Sequence, residues 1–290
     1  MAVLEVQARA KLNLTLDVLG KRPDGYHDLR MVMQTVELCD TIRLETGTGQ
    51  PLQVATNLGF LPNNEKNLAA AAALRLQEAT GADWGGLAIR LKKTIPVCAG
   101  MAGGSSDAAA VLRGLNGLLG LNLSRDKLEE VGAKVGSDVP YCVRGGTALA
   151  EGRGEVLTDL PSLPDCHVVV CKPAFSVSTP ELFGKIDAAR IRCRPDTAGL
   201  LAALEAGDLP GVARRMYNVF EDVLPPRRQA EVIGIKGILI QRGALGATMS
   251  GTGPTVFGLF DDPQAAQNAY MELKELYRET FLTRTVGREM

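Results

Sequence analysis

The chain has 290 residues, 46% of them hydrophobic and 22% charged. That supports one large or two mid-sized domains with a real core. A mean hydropathy of +0.04 excludes a polytopic membrane protein, and the apolar fraction excludes a disordered chain. Thirty-two Lys and Arg face 33 Asp and Glu, a net charge of −1, so no basic excess is present to hold nucleic acid by bulk phosphate neutralisation. A local site for a small phosphorylated ligand remains open. No apolar stretch approaches the ~20 residues that span a bilayer, and the charged N-terminal stretch offers no signal-peptide core. The six cysteines are dispersed without a CxxC pair, and there are two histidines. The expectation is a cytoplasmic protein with reduced thiols and no Cys/His zinc site.

From Lys11 to Val18 the alternation is strict. Leu12, Leu14, Leu16 and Val18 share one strand face, and Lys11, Asn13, Thr15 and Asp17 the other. The polar face either meets solvent or presents Lys11 and Asn13 to a ligand. Arg22-Pro23-Asp24-Gly25 predicts a turn. Strands are expected at 31–38 and 41–45, then an alanine-rich helix over 66–79 capped by Asn63 or Asn64. A strand at 87–91, helices at 106–119 and 127–135, and strands at 145–150 and 167–171 follow. The second half reads as helices at 180–189, 197–206 and 229–242, strands at 247–249 and 255–260, and a closing amphipathic helix over 263–280. Strands and helices mix without regular βαβ alternation, which predicts an α+β fold. A loop-rich stretch, EGRGEVLTDLPSLPD, suggests two domains, 1–155 and 156–290.

The strongest local signal is PVCAGMAGGSSDAAA, residues 96–110. Gly100, Gly103 and Gly104 lead through Ser105 and Ser106 into a helix. Glycines let backbone amides approach a phosphate, and a helix N-terminus adds free N–H groups and a positive dipole end. The alternative is a glycine turn with a Ser or Asp cap. No Walker A pattern is present. A second glycine segment, Ser250-Gly251-Thr252-Gly253-Pro254, lies between two short strands, either as a plain hairpin or as a partner on the same polyphosphate. Gly136-Ser137-Asp138-Val139-Pro140 follows a helix, with Gly136 expected to stop it and Pro140 to prevent resumption. Asp138 is there a loop aspartate or a reactive carboxylate. Tyr26-His27 pairs an aromatic face with ring nitrogens suited to a base edge. Thr179-Pro180 reads as a Thr cap with Pro at the first helical position, and Phe183 could add an apolar wall.

The 96–110 loop resembles the ATP-phosphate loop of the GHMP kinase superfamily. ARAKLNLTLDVLGKRPDGYHDLRMVMQTVEL, GSDVPYCVRGGTALAEGRGE and SGTGPTVFGLF extend the resemblance over about residues 5–262, four motifs in the family's order. The strand motif followed by D-G-Y-H narrows it to members whose alcohol acceptor carries a cytidine diphosphate. The resemblance implies a two-domain GHMP kinase fold with its site in the cleft between domains. It implies a kinase that uses ATP and Mg²⁺ to phosphorylate the 2-hydroxyl of a cytidine-diphosphate-linked methylerythritol in the non-mevalonate isoprenoid pathway, as a monomer or homodimer.

By the same resemblance Asp138 is the catalytic aspartate and Lys11 its basic partner. Asn13, Tyr26, His27, Pro180 and Phe183 form a cytidine pocket, and Thr179, Ser250, Gly251 and Thr252 lie near the substrate. Gly100, Gly103, Gly104, Ser105 and Ser106 hold the ATP phosphates, with Asn67 and Lys93 near the adenosine end. The family pattern has glycine where this chain has Ala102, and a methyl group fits without strain only at negative φ. The carboxylate that other members use on magnesium has no matching position, so the metal ligands stay unassigned. Two rival readings are another GHMP kinase acting on a sugar or mevalonate-type alcohol, and a catalytically silent nucleotide-binding module.

Overall fold

The structure, a computed structural model, describes residues 2–189, 191 and 193–288. Two long strands open the chain, β1 (Ala2–Lys21) and β2 (His27–Thr46), followed by β3 (Gln53–Thr56), α1 (Leu68–Thr80) and β4 (Leu87–Lys92). Then come α2 (Gly103–Leu118), α3 (Arg125–Ala133), α4 (Val139–Arg144), β5 (Thr147–Gly152), β6 (Val156–Asp159) and β7 (His167–Lys172). The remainder is α5 (Thr179–Ala188), α6 (Thr197–Glu205), α7 (Leu209–Ala213), β8 (Tyr217–Asn218), α8 (Pro226–Gln241), β9 (Gly246–Met249), β10 (Val256–Phe260), α9 (Pro263–Leu276) and β11 (Glu279–Arg284). The mixed α+β content agrees with the sequence reading.

Several expectations shift. The two strands expected at 31–38 and 41–45 are one continuous strand, β2. Asn67, rather than Asn63 or Asn64, caps α1, accepting from the Ala69 amide at 3.0 Å. Ser178 caps α5, moving Thr179 and Pro180 into its first turn. Pro140 does not prevent resumption, because α4 begins at Val139 with the proline at its second position, where no intrahelical N–H is needed. Gly136 does not adopt the left-handed conformation of a helix stop. The short elements β3, β6, β8 and α7 fall outside the expected set, and the helix expected over 263–280 ends at Leu276, with β11 starting at Glu279.

The chain forms two compact units that are discontinuous in sequence, unlike a single cut at 155. One comprises Met1–Ala10, Leu38–Val97 and Ala102–Arg144, the other Lys11–Glu37, Cys98–Met101 and Gly145–Met290. In the first, the end of β2 pairs antiparallel with β4, and β3 pairs parallel with β4. Ile42, Leu44, Leu87 and Ile89 pack with Ala69, Ala73 and Leu76 of α1 and with Ala108, Leu112 and Leu115 of α2. The alanines of α1 and α2 let helix backbones approach closely.

In the second unit the start of β2 pairs with β5, β5 with β6, and β1 runs parallel to β8. A separate four-stranded antiparallel sheet has the order β11-β7-β10-β9. Val168, Val170, Phe257 and Leu259 of that sheet and Val232, Ile235, Leu239, Ala269 and Leu273 of α8 and α9 are all fully buried. Among the described residues no helix is long and apolar enough to cross a membrane.

Two glycines make opposite predictions. A Cβ on Gly246 would lie 2.1 Å from the Ala213 carbonyl oxygen, a backbone atom that cannot rotate away. Gly246→Ala should destabilise the fold by about 1–3 kcal/mol. Gly117 sits exposed in α2, with nothing within 4 Å of the point where a Cβ would stand, so Gly117→Ala should stabilise by about 0.5–1 kcal/mol. Urea unfolding of both variants checks the pair, and a neutral Gly246→Ala would show that β9 can retreat from α7.

Candidate active site

The polar face of β1 is buried in the second unit. Lys11 is 4% exposed, and Asn13 and Thr15 are fully buried. Each polar group on this face has a partner, as burial demands. The Lys11 ammonium donates to Asn13 Oδ1 at 2.7 Å, and the Asn13 side-chain amide reaches the Met31 sulfur at 3.4 Å. Thr15 Oγ1 accepts from the Val32 amide, and Asp17 takes Arg194. Asn13 is thereby committed through its side chain to Lys11, and its backbone N–H donates to Ser250 Oγ at 3.2 Å.

Ser250 Oγ in turn donates to the Gly100 carbonyl at 2.9 Å. The two glycine segments therefore touch. A Cβ at Gly100 would lie 2.2 Å from the Ser250 carbonyl oxygen, and one at Gly251 would lie 2.9 Å from the Gly100 carbonyl oxygen. Both residues have positive φ, 74° and 57°. Asn218 holds the second segment from behind, donating to the Met249 and Gly251 carbonyls at 2.7 Å each. Glu221 accepts from Thr248 Oγ1 and the Met249 amide. Thr252 and Thr179 meet hydroxyl to hydroxyl at 3.0 Å.

In the first unit the helix expected from residue 106 starts earlier. Gly103 and Gly104 are the first residues of α2. The first intrahelical bond is Ser106 N–H to the Ala102 carbonyl, at 2.8 Å. The amides of Gly103, Gly104 and Ser105 thus precede the helical ladder, and no side chain caps them. That leaves donors and a positive dipole end for an anion. Ser106 is buried, its hydroxyl donating to the Arg9 carbonyl at 2.5 Å, so it anchors the turn. Ser105 Oγ comes within 4.0 Å of a Cβ built on Gly136, which draws the Asp138 segment to this turn. Asp138 is half-buried just ahead of α4, its carbonyl accepting from the Cys142 amide at 3.0 Å.

Ala102 has φ 57° and ψ 29°. That is the left-handed region, where a methyl group does not fit without strain, so the entry to α2 holds Ala102 against its local preference. The methyl group is accommodated at a cost of about 1–2 kcal/mol. Ala102→Gly should raise stability by about 1 kcal/mol in denaturant unfolding, and an unchanged midpoint would mean that the turn is unstrained.

Beneath this turn lies a charge cluster with no local sequence signal. Lys93 places its ammonium between Asp40 and Asp107, at 2.5 Å from the latter, with all three side chains at most 5% exposed. Asp40 also accepts from the Thr94 and Ile95 amides. A Cβ on Gly103 would stand 3.6 Å from the Lys93 ammonium. Lys93 and the α1 cap Asn67, both expected near adenosine, are thus engaged within the protein; Asn67 also donates to the Pro62 carbonyl. One ammonium cannot fully compensate two buried carboxylates. Burial, opposed by Lys93 and reinforced by Asp40, pushes the Asp107 carboxyl up to about 7, and its Oδ1 has no partner.

The unfolded chain releases the Asp107 proton near pH ~4, whereas the native state keeps it to about 7. Between those values the native state binds more protons, so this group's contribution to stability is lost as pH rises. Asp107→Asn should flatten the pH dependence of the urea midpoint across that window. An unaltered slope would mean that Asp107 is ionised throughout.

The aromatic residues gather in the second unit. Tyr26 is 58% exposed and carries the Arg153 guanidinium 5.0 Å from its ring centre. His27 is stacked on Phe183 at 4.5 Å and 23°, and Phe183 meets Phe220 edge-on at 5.0 Å. The His27 Nε2 atom lies 2.8 Å from Asp187 Oδ1, and Lys21 donates to Asp187 Oδ2 at 2.8 Å. Pro180 is exposed in the first turn of α5, one turn before Phe183. Asp40, Asp107, Asp187, Asn218 and Glu221 had no signal in the sequence, because each acts on a segment far along the chain. Among the described residues no group of three or more His, Cys, Asp or Glu is placed to hold a metal.

Comparison with known proteins accords with this geometry. The GHMP kinases N terminal domain matches residues 67–146 and the GHMP kinases C terminal domain matches residues 200–279. The 4-diphosphocytidyl-2-C-methyl-D-erythritol kinase of Lachnospira eligens is 45% identical over 98% of this chain and 99% of its own. That of Lachnoclostridium phytofermentans is 46% identical over 98% of both. A crystal structure of 4-(cytidine 5'-diphospho)-2C-methyl-D-erythritol kinase superposes with a TM-score of 0.81 at 31% identity, covering 98% of this chain and 100% of that one. With two glycine segments in backbone contact and relatives matched end to end, the chain belongs to the 4-diphosphocytidyl-2-C-methyl-D-erythritol kinase family of the GHMP kinases.

Proposed function

We propose that this protein transfers the γ-phosphoryl group of ATP to the 2-hydroxyl of 4-diphosphocytidyl-2-C-methyl-D-erythritol, a step of the non-mevalonate isoprenoid pathway. The observation that carries this reading is the chain of contacts from the Lys11 ammonium through Asn13 and Ser250 to Gly100. It ties a buried cation to both glycine segments, as a polyphosphate site requires. Near-full-length identity to kinases of that name supports the choice of acceptor over a sugar or mevalonate-type alcohol. The two family matches fall on either side of residue 155, which supports inherited domains at 1–155 and 156–290.

In this reading Asp138 accepts or orients the proton of the 2-hydroxyl as its oxygen forms a bond to the γ-phosphorus. The bond from that phosphorus to the β,γ-bridging oxygen breaks, and ADP leaves. Lys11 offsets the charge on the transferring group and on Asp138. The free amides at the start of α2, with Gly100, Ser105 and the buried anchor Ser106, hold the phosphates. Asn67 and Lys93, whose side chains are taken up within the protein, lie near the adenosine end as supports. Tyr26, His27, Pro180 and Phe183 form the cytidine wall, Asn13 fixes Lys11 beside it, and Thr179, Ser250, Gly251 and Thr252 lie toward the acceptor. Phosphoryl transfer needs positioning and charge neutralisation more than covalent chemistry, and these groups supply both. Mg²⁺ keeps water and phosphate oxygens as ligands, so it fits a site that holds the nucleotide through backbone amides. Bound there, the ion would neutralise phosphate charge.

Mass spectrometry of the product made from this acceptor, ATP and Mg²⁺ tests the reaction. Asp138→Asn should lower turnover roughly 10²–10⁴-fold with acceptor binding little changed. Lys11→Met should lower it too, and the double variant should be far less than multiplicatively worse, because groups that act as a unit are not additive. Multiplicative losses would break the pairing, and near-full turnover in Asp138→Asn would remove that residue from the chemistry.

A further inference from the structure

Asp187 belongs to neither glycine segment nor to the proposed aromatic wall, yet its carboxylate bridges two elements beside that wall. One oxygen accepts from Lys21 at 2.8 Å and the other lies 2.8 Å from His27 Nε2. We propose that Asp187 is a specificity-determining positioning residue that holds His27 with its proton on Nε2, leaving Nδ1 as a hydrogen-bond acceptor for the exocyclic amino group of a cytosine. This rests on the reading of His27 as a contact to the acceptor's base.

Charge fixes the tautomer, and the tautomer selects the base. The hydrogen bonds from Lys21 and then His27 hold the Asp187 carboxyl below its ordinary range. It is ionised at neutral pH and can only accept. The hydrogen between it and His27 therefore belongs to Nε2. In a neutral imidazole the other nitrogen then carries a lone pair. Nδ1 has no hydrogen-bond partner among the described residues. The ring cannot readily turn to exchange its nitrogens, because its side chain is 8% exposed and lies flat on Phe183, which is itself braced edge-on by Phe220. A fixed acceptor suits the amino group of cytosine. Uracil has a carbonyl oxygen at the same position, so two lone pairs would face each other. An unpaired or opposed buried polar group reduces efficiency by roughly 5- to 150-fold. Without Asp187 both tautomers become available, and the Nδ1–H form would accept uracil.

Two measurements on the full-length protein test the assignment. The first is the kcat/KM ratio for the cytidine acceptor over its uridine analogue. Wild type should favour cytidine by tenfold or more, and His27→Ala should narrow that ratio. Asp187→Ala should narrow it by a similar factor, with cytidine efficiency falling and uridine efficiency rising. Asp187→Glu should restore part of the preference. Lys21→Ala removes the other partner of the carboxylate and should leave the ratio within about twofold. A purely structural Asp187 would lower both acceptors alike. The second measurement is nitrogen-15 NMR of the unliganded protein, in which His27 and His167 are the whole histidine complement. The His27 proton should reside on Nε2 in wild type and spread over both nitrogens in Asp187→Ala. A wild-type ratio near one would overturn the base reading and the proposal with it. A selective wild type, narrowed by His27→Ala but unaffected by Asp187→Ala, would overturn the proposal alone, as would a wild-type proton on Nδ1.

Discussion

A buried ammonium needs fixed oxygen around it, and the Lys11 ammonium finds it in Asn13, two residues along the same strand face. Removing such a charge from water costs far more than one neutral hydrogen bond returns, so the surroundings must be arranged to keep it. β1 does this by pairing on both sides and burying its polar face as completely as its apolar one. The backbone amide of Asn13 then takes Ser250, and Ser250 takes Gly100. Strand, glycine hairpin and glycine loop are one hydrogen-bonded object, and the rest of the second unit is built to keep it so.

The first unit shows the same economy with a different balance. Its glycine turn at the start of α2 is open on top, where three amides lack helical partners, and charged beneath, where Asp40, Lys93 and Asp107 are sealed from water. A left-handed alanine at the helix entry and a carboxyl raised to about 7 are both unfavourable local states. Such states persist where surrounding structure over-determines them, and they concentrate at functional sites.

The sequence made the regular parts legible. The period-two pattern located the core of β1, though the single strand β2 reads as two because Cys39 and Asp40 interrupt its apolar run. The amphipathic helices α3, α8 and α9 and the β9–β10 pair lie close to where their periodicity puts them. Both glycine segments were visible as phosphate candidates from composition alone. What was not legible depends on distant partners. Asn13 meets Ser250, 237 positions later, and is buried there rather than solvated. The Asp40–Lys93–Asp107 cluster joins the interior of a strand, a loop and a helix, and no spacing rule links them. The sign of φ at Ala102 follows from how the loop enters α2, which a methyl group in the sequence argues against.

The contact between Gly100 and Ser250–Gly251 has a consequence for how such kinases diverge. Two main chains packed without a Cβ between them behave as one part made from two distant stretches of gene. A chimera that imports the loop around residue 100 from a relative, but keeps its own hairpin at 250–251, joins halves cut to different clearances. Exchange of either stretch with a relative should therefore succeed when the two travel together, and recombination with a single crossover in between should leave few folded products.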